Sequence, residues 1–281
     1  MSQNNINPLS QYFRQPVIYI TLPSNGKFYP PGTLDMPANR ELPVLPMTAI
    51  DEITYRTPDA LFNGQAVVNV IQSCVPAIKD AWAVPAMDVD TILIAIRVAT
   101  YGHEMEFEST CPACAASAER GLDLRTVLEK IKAPDYDTPI SYGDMQFFFR
   151  PMQYRDLNAN NQLQFEEQKL FQMLPDPDIP DQEKVSSLSD ALKKITQVTV
   201  RALAQSIAAV KTPQAMVTES AYIEELLINC DRALFAQLRD HIISIKTQAE
   251  MPDMSLVCDE CQHSYKQSLT LDMSSFFAPA S

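Results

Sequence analysis

Glu104-Met105-Glu106-Phe107-Glu108 alternates like a strand with one wet face, and it runs almost at once into Cys111-Pro112-Ala113-Cys114. The same transition returns near the far end, where Leu256-Val257 leads into Cys258-Asp259-Glu260-Cys261. In a Cys-x-x-Cys knuckle a tight turn aims both sulfurs at one point, and backbone N–H groups are free to donate to the thiolates. Two knuckles supply four sulfurs, which closes a tetrahedral Zn²⁺ shell with Zn–S of about 2.3 Å and no open position. Cys111, Cys114, Cys258 and Cys261 are therefore expected to hold a structural zinc, in a ribbon built from two hairpins. The pairs are separated by 143 residues. Closing a loop of that length costs roughly 4–5 kcal/mol, against ~10–16 kcal/mol for a structural zinc site at neutral pH.

Two other readings of these cysteines stand beside the zinc reading. Cys-Pro-Ala-Cys also suits a dithiol redox motif at a helix start, which would require a βαβ context and would leave Cys258 and Cys261 unexplained. Plain core cysteines are the third. Cys74 and Cys230 read as small buried hydrophobes on helices. His263 follows Cys261 closely, but four cysteines already complete the shell; His103 and His241 are isolated. Trp82 reads as a packing anchor. Phe147-Phe148-Phe149 reads as core or interface rather than a base-stacking platform, since its nearby cation is Arg150 alone. No GxSxG, HExxH, P-loop or kinase set is present, and Glu166-Glu167 and Glu224-Glu225 read as solvated helix faces.

Outward from the knuckles the pattern divides. Val17 to Leu22 is an extended run ended by Pro23-Ser24-Asn25-Gly26, with Lys27-Phe28-Tyr29 expected as its returning strand and Glu41 to Leu45 as another extended segment. Thr48 is a candidate N-cap with Asp51 three residues on. Short helices are expected over 48–55, 58–63 and 65–74, and a firmer one through Val89, Ile92, Leu93 and Ile96 to a stop at Gly102. Leu122-Asp123-Leu124 alternates again, and Tyr142 to Pro151 reads as a strand. From 152 to 250 the expectation is mostly helix. It includes 154–173, an acidic turn over 175–181, a long amphipathic helix from Leu188 through Leu203, Ile207 and Val210, and helices near 218–229 and 231–247. Leu269-Thr270-Leu271 should lead out of the second knuckle.

The chain has 281 residues, of which 46% are hydrophobic, enough for a sizeable core. Its 6 glycines argue against phosphate-cradling and dinucleotide loops. The net charge of −13 repels polyanions and no basic run exceeds Lys193-Lys194, so nucleic acid is not expected as a partner. The segment Met1 to Gln11 is polar, and Thr91 to Ala99 is interrupted by Arg97 and far too short to span a bilayer. Neither a targeting segment nor a membrane partner is expected, and the chain is read as soluble and intracellular, with its cysteines reduced.

Taken in order, Tyr19-Ile20-Thr21-Leu22-Pro23-Ser24 with Gly26 and Phe28-Tyr29, then Pro46-Met47-Thr48-Ala49-Ile50-Asp51-Glu52, Asn63-Gly64 and Ile71-Gln72-Ser73-Cys74, form a recognisable series. Asp90, Ile96-Arg97, Tyr101-Gly102 and the cysteine knuckles continue it. The series resembles the T4-type bacteriophage baseplate-hub assembly proteins over most of residues 17–125 and, more loosely, around the second knuckle. The helical segment 152–250 does not match position by position. The resemblance implies a non-enzymatic tailed-phage protein, an assembly factor or minor structural component. It would work with tail or baseplate-hub proteins in the infected host's cytoplasm or in the virion baseplate, without a small-molecule substrate. A zinc-ribbon module binding nucleic acid or a transcription complex, and a CxxC oxidoreductase, are the competing functions.

The expected fold class is α+β, mainly helical, with a small zinc-ribbon-like β platform formed from the two CxxC hairpins. The expected organisation is a flexible arm over 1–16 and a β/zinc-knuckle core of 17–130 plus 254–275. A helical insert over 131–253 and a tail over 276–281 complete it. In the tail, Phe276 and Phe277 are open to either docking on a partner or packing on the chain itself.

Overall fold

A computed structural model describes residues 7–56, 64–173, 181–249, 251, 253–268 and 276–277. The expected helix over 58–63, the acidic turn over 175–180 and the exit segment Leu269-Thr270-Leu271 lie outside the described residues. The fold is mixed α/β, with more helix than strand. Near the N-terminus, Pro8–Tyr12 forms a short 3-10 turn. Arg14 is anchored by hydrogen bonds to the carbonyls of Pro46 and Ser73 and an ion pair with Asp51. Strand β1 (Ile18–Ile20) pairs antiparallel with β2 (Leu42–Val44). The expected return at Lys27-Phe28-Tyr29 is corrected: a turn occupies that stretch, and Phe28 at φ +70° cannot continue a strand.

Helix α1 (Ala49–Tyr55) starts at Thr48, whose side chain accepts from the Asp51 amide while the Asp51 carboxylate accepts from the Thr48 amide. Helix α2 (Gln65–Cys74) buries Val67, Val68, Val70 and Ile71, and Cys74 at its end is fully enclosed. Helix α3 (Ala86–Tyr101) is apolar nearly all round, so it runs through the middle of the first core. Gly102 stops it at φ +90°, a conformation that only glycine adopts without strain. Trp82 stacks on Tyr154 at 5.6 Å, as an anchor should.

Two hairpins leave this core. Strands β3 (Glu104–Thr110) and β4 (Ser117–Asp123) pair in register, and helix α4 (Leu124–Lys130) folds back from β4 onto α3. Much later, β9 (Met254–Val257) pairs with β10 (Ser264–Gln267).

The segment between the hairpins contains more sheet than its pattern suggested. Strands β5 (Ile140–Tyr142), β6 (Met145–Phe149), β7 (Ile207–Lys211) and β8 (Met216–Val217) form a four-stranded antiparallel sheet in that order. Helix α5 (Tyr154–Met173) lies where expected. Helix α6 (Asp181–Ser206) ends sooner than expected, because Ile207 and Val210 leave the helix and pair with Phe149 and Phe147 of β6. Helices α7 (Ser220–Asn229) and α8 (Arg232–Ala249) pack Ile223, Leu227, Leu234, Leu238, Ile242 and Ile245 against Phe147 and Phe149, making a second core. The expected helical insert is thus α+β. At the other end of the chain Phe276 and Phe277 are buried in the first core, with Phe277 edge-on to Tyr55 at 4.7 Å.

Candidate metal centre

The two hairpin tips have the same local build. Cys111 accepts from the Ala115 amide through its carbonyl, and its own amide donates to the Ala116 carbonyl. Cys258 does the same with Gln262 and His263. Ala115 and Gln262, each directly after the second cysteine of its knuckle, both take φ +58°. That left-handed residue turns the chain back into the returning strand and frees the following amides to face sulfur. The Ala116 amide donates to the Cys114 sulfur, and the His263 amide donates to that of Cys261.

The tips meet so that the four sulfurs, Cys111, Cys114, Cys258 and Cys261, lie within 4.8 Å of one another. Cys111 Sγ is 3.7 Å from Cys261 Sγ, and Cys114 Sγ is 3.6 Å from Cys258 Sγ. A tetrahedral tetrathiolate with metal–sulfur bonds of about 2.3 Å has edges of about 3.8 Å, so the donor set fits an ion of that size and preference. Cys111 and Cys258 are buried while Cys114 and Cys261 are exposed, so the cluster sits at the surface with one wet side.

Crowding of the thiols is visible in their electrostatics. Burial opposes ionisation of Cys111, but amide hydrogen bonds from Ala113 and Cys114 and a contact from Cys261 bring its thiol down to about 7. The Ala116 amide favours a thiolate at Cys114, yet the sulfurs of Cys261 and Cys258 push it up to about 12. Cys261 is assisted by the His263 amide and by Cys114, but burial and the sulfurs of Cys111 and Cys258 leave it raised. Four sulfurs this close ionise together only when a cation shares their charge.

Side chains lace the hairpins beyond the cysteines. Arg120 of β4 donates to the Val257 carbonyl at 3.0 Å and pairs with Asp259 at 2.8 Å. Ser109 and Tyr265 share a hydrogen bond of 2.6 Å. None of these four was legible as part of a site. The available signal was position alone, Asp259 lying inside the second knuckle and Ser109, Arg120 and Tyr265 within six residues of a knuckle cysteine on the strands that a two-hairpin ribbon would bring together.

The remaining sequence candidates fall elsewhere. Cys230 is half-buried just beyond α7. His263 lies parallel to Tyr265 at 6.4 Å and is exposed beside the cluster. His241 is half-buried with its ring tilted against Phe149 at 4.5 Å, beside the second core. The run Phe147-Phe148-Phe149 supplies two core side chains, Phe147 and Phe149. No helix among the described residues is long and apolar enough to cross a membrane.

Among curated proteins and among solved structures, nothing matches this chain. A family profile does, over residues 47–278, which takes in both knuckles, the second core, most of the first and the docked Phe276-Phe277 pair. The chain therefore belongs to the T4 bacteriophage base plate protein family.

Proposed function

We propose that the protein is a non-enzymatic component of baseplate-hub assembly in a contractile-tailed phage, an assembly factor or minor structural part, stabilised by one structural Zn²⁺. Cys111, Cys114, Cys258 and Cys261 would hold the ion. Bound there, zinc would supply cross-linking without a vacant coordination position, hence rigidity rather than chemistry. The observation that carries this reading is the meeting of four sulfurs from the two ends of a chain that belongs to a baseplate family. The partners are tail or baseplate-hub proteins, met in the infected cell's cytoplasm or in the virion baseplate. The reading calls for no nucleic acid, membrane or small-molecule substrate. It also treats residues 17–130 with 254–275 as one unit and 131–253 as an insert, a division that the two apolar cores follow except where Tyr154 of the insert and Phe276-Phe277 of the tail pack into the first.

The test is genetic and elemental together. Deletion of the gene should leave heads without functional tails, restored by the wild-type gene, and the purified chain should carry one zinc. Normal tails after deletion would overturn the assembly role. An active chain devoid of transition metal would overturn the zinc. A reversible Cys111–Cys114 disulfide in the native protein would replace it with dithiol chemistry, and tight DNA binding with a steep salt dependence would replace the assembly role with a nucleic-acid one.

A further inference from the structure

Strand β1 has one partner and one open side, and Pro43 determines which backbone groups face out. In an antiparallel ladder, directly opposed residues alternate between exchanging two N–H···O bonds and exchanging none. Tyr19 stands opposite Pro43, which has no N–H to exchange. The bonded pairs must then be Ile18 with Val44 and Ile20 with Leu42, so the N–H and C=O of Tyr19 point away from β2. No strand among the described residues pairs with that side.

A groove of about 360 Å³ runs beside it, lined by Ile18, Tyr19, Ile20 and Thr21 together with Thr91, Leu128 and Glu129. The three residues of β1 present alternate faces, so a groove that touches all of them and Thr21 just beyond lies along the edge and not over one face. Thr91 of α3 is 4% exposed, and its hydroxyl has no hydrogen-bond partner. A helical threonine normally bonds back to the preceding turn, and a buried orphan is costly. The far wall is α4, where Arg125, also lining the groove, is held by Asp123 at 2.7 Å and attracted more weakly by exposed Glu129, which makes no closer ion pair among the described residues.

We propose that this edge receives an extended segment of a partner protein as a third strand, with a lysine or arginine of that segment set over Glu129. Backbone bonds to Tyr19 would give the affinity, and an apolar side chain against Leu128 with the basic one beside it would give the selectivity. The partner's positive charge follows from Glu129 and from the net −13 of the chain. The inference rests on the assembly reading only for where the partner is found.

The probe is each purified tail protein of the encoding phage in turn, offered to the full-length chain. Wild type should bind one of them, and amide exchange in the complex should slow over residues 18–21. Tyr19→Pro removes the outward N–H while the bonds of Ile18 and Ile20 to β2 remain, so affinity should fall about fivefold or more at an unchanged melting temperature. Glu129→Lys, on an exposed helix face, should also weaken binding and should reverse the salt dependence; it decides the matter should Tyr19→Pro fold poorly. Binding that both variants retain in full, or protection confined to another surface, would overturn the edge proposal and leave the assembly reading standing. A wild-type chain that binds no tail protein would overturn both.

Discussion

Asp88 lies wholly buried in α3 and accepts from the Ser24 amide at 2.8 Å, the Ser24 hydroxyl at 2.5 Å and the Tyr29 hydroxyl at 3.1 Å. These bonds moor the turn after β1 to the central helix. Burial nevertheless outweighs the three donors and raises the carboxyl from 3.8 to about 6. The folded protein therefore holds a proton that the unfolded chain has lost between those two values. This group's contribution to stability is full below pH 4 and disappears as the pH rises through 6. Asp88→Asn cannot titrate, so the stability of wild type relative to the variant should decline by about 2 kcal/mol from pH 4 to pH 7, read from urea unfolding at each pH. A flat difference would show the carboxyl to be ionised throughout. Gly102 gives a second test at the same scale. Nothing lies within 4 Å of where its Cβ would be, so Gly102→Val would suffer from the backbone alone. At φ +90° and ψ 178° the expected loss is about 1–3 kcal/mol, seen as a lower melting temperature.

At the scale of the element, what was legible depended on whether the cause was local. The capping box of Thr48 and Asp51 is written within four residues, and Thr48→Ala should cost about 1 kcal/mol in chemical denaturation. The start of α2 and the end of α5 follow from punctuation by Gly64 and Pro175. Each knuckle was legible because a Cys-x-x-Cys turn needs no distant partner to form. Failures occurred where a distant strand decides. Leu203, Ile207 and Val210 keep helical spacing, but Phe147 and Phe149 of β6 offer Ile207 and Val210 a ladder that withdraws them from α6. Asn25-Gly26 signals a tight hairpin, yet β1 takes Leu42–Val44 as its partner across a longer excursion. The left-handed residues after each knuckle were not legible either, since neither Ala115 nor Gln262 is a residue type that announces φ +58°. They give a prediction of their own: Gln262→Gly should relieve strain and stabilise the second hairpin by roughly 0.5–1 kcal/mol. Its metal-free form should show this most clearly by melting, and a destabilised variant would mean that the glutamine side chain is needed there.

Across the whole molecule, two separate fastenings join the C-terminal stretch to the first half of the chain. One is the four-sulfur cluster. The other is the Phe276-Phe277 pair, whose backbone accepts from buried Arg97 at 2.6 Å while Phe276 and Tyr101 flank that guanidinium, each ring at 5.5 Å. The fastenings differ in what they brace. Cys111 and Cys258 are buried only by the hairpin tips and belong to neither apolar core, whereas both phenylalanines are part of the first. Chelation should therefore speed amide exchange over 104–123 and 254–267 while α3 and α8 stay protected. Phe276→Ala with Phe277→Ala should behave in the opposite way. Emptying two aromatic sites should cost at least about 4 kcal/mol and loosen α1 and α3, while a metal bound at the four sulfurs would keep the hairpins paired. Either loss alone leaves the C-terminal stretch tethered; both together should release that stretch, because two loops are then reopened, one of 143 residues between Cys114 and Cys258 and one of 179 positions from Arg97 to Phe276. Exchange measured on the four combinations decides the point. If chelation alone strips protection from α3 and α8, the cores depend on the metal and the division of labour between the two fastenings is wrong.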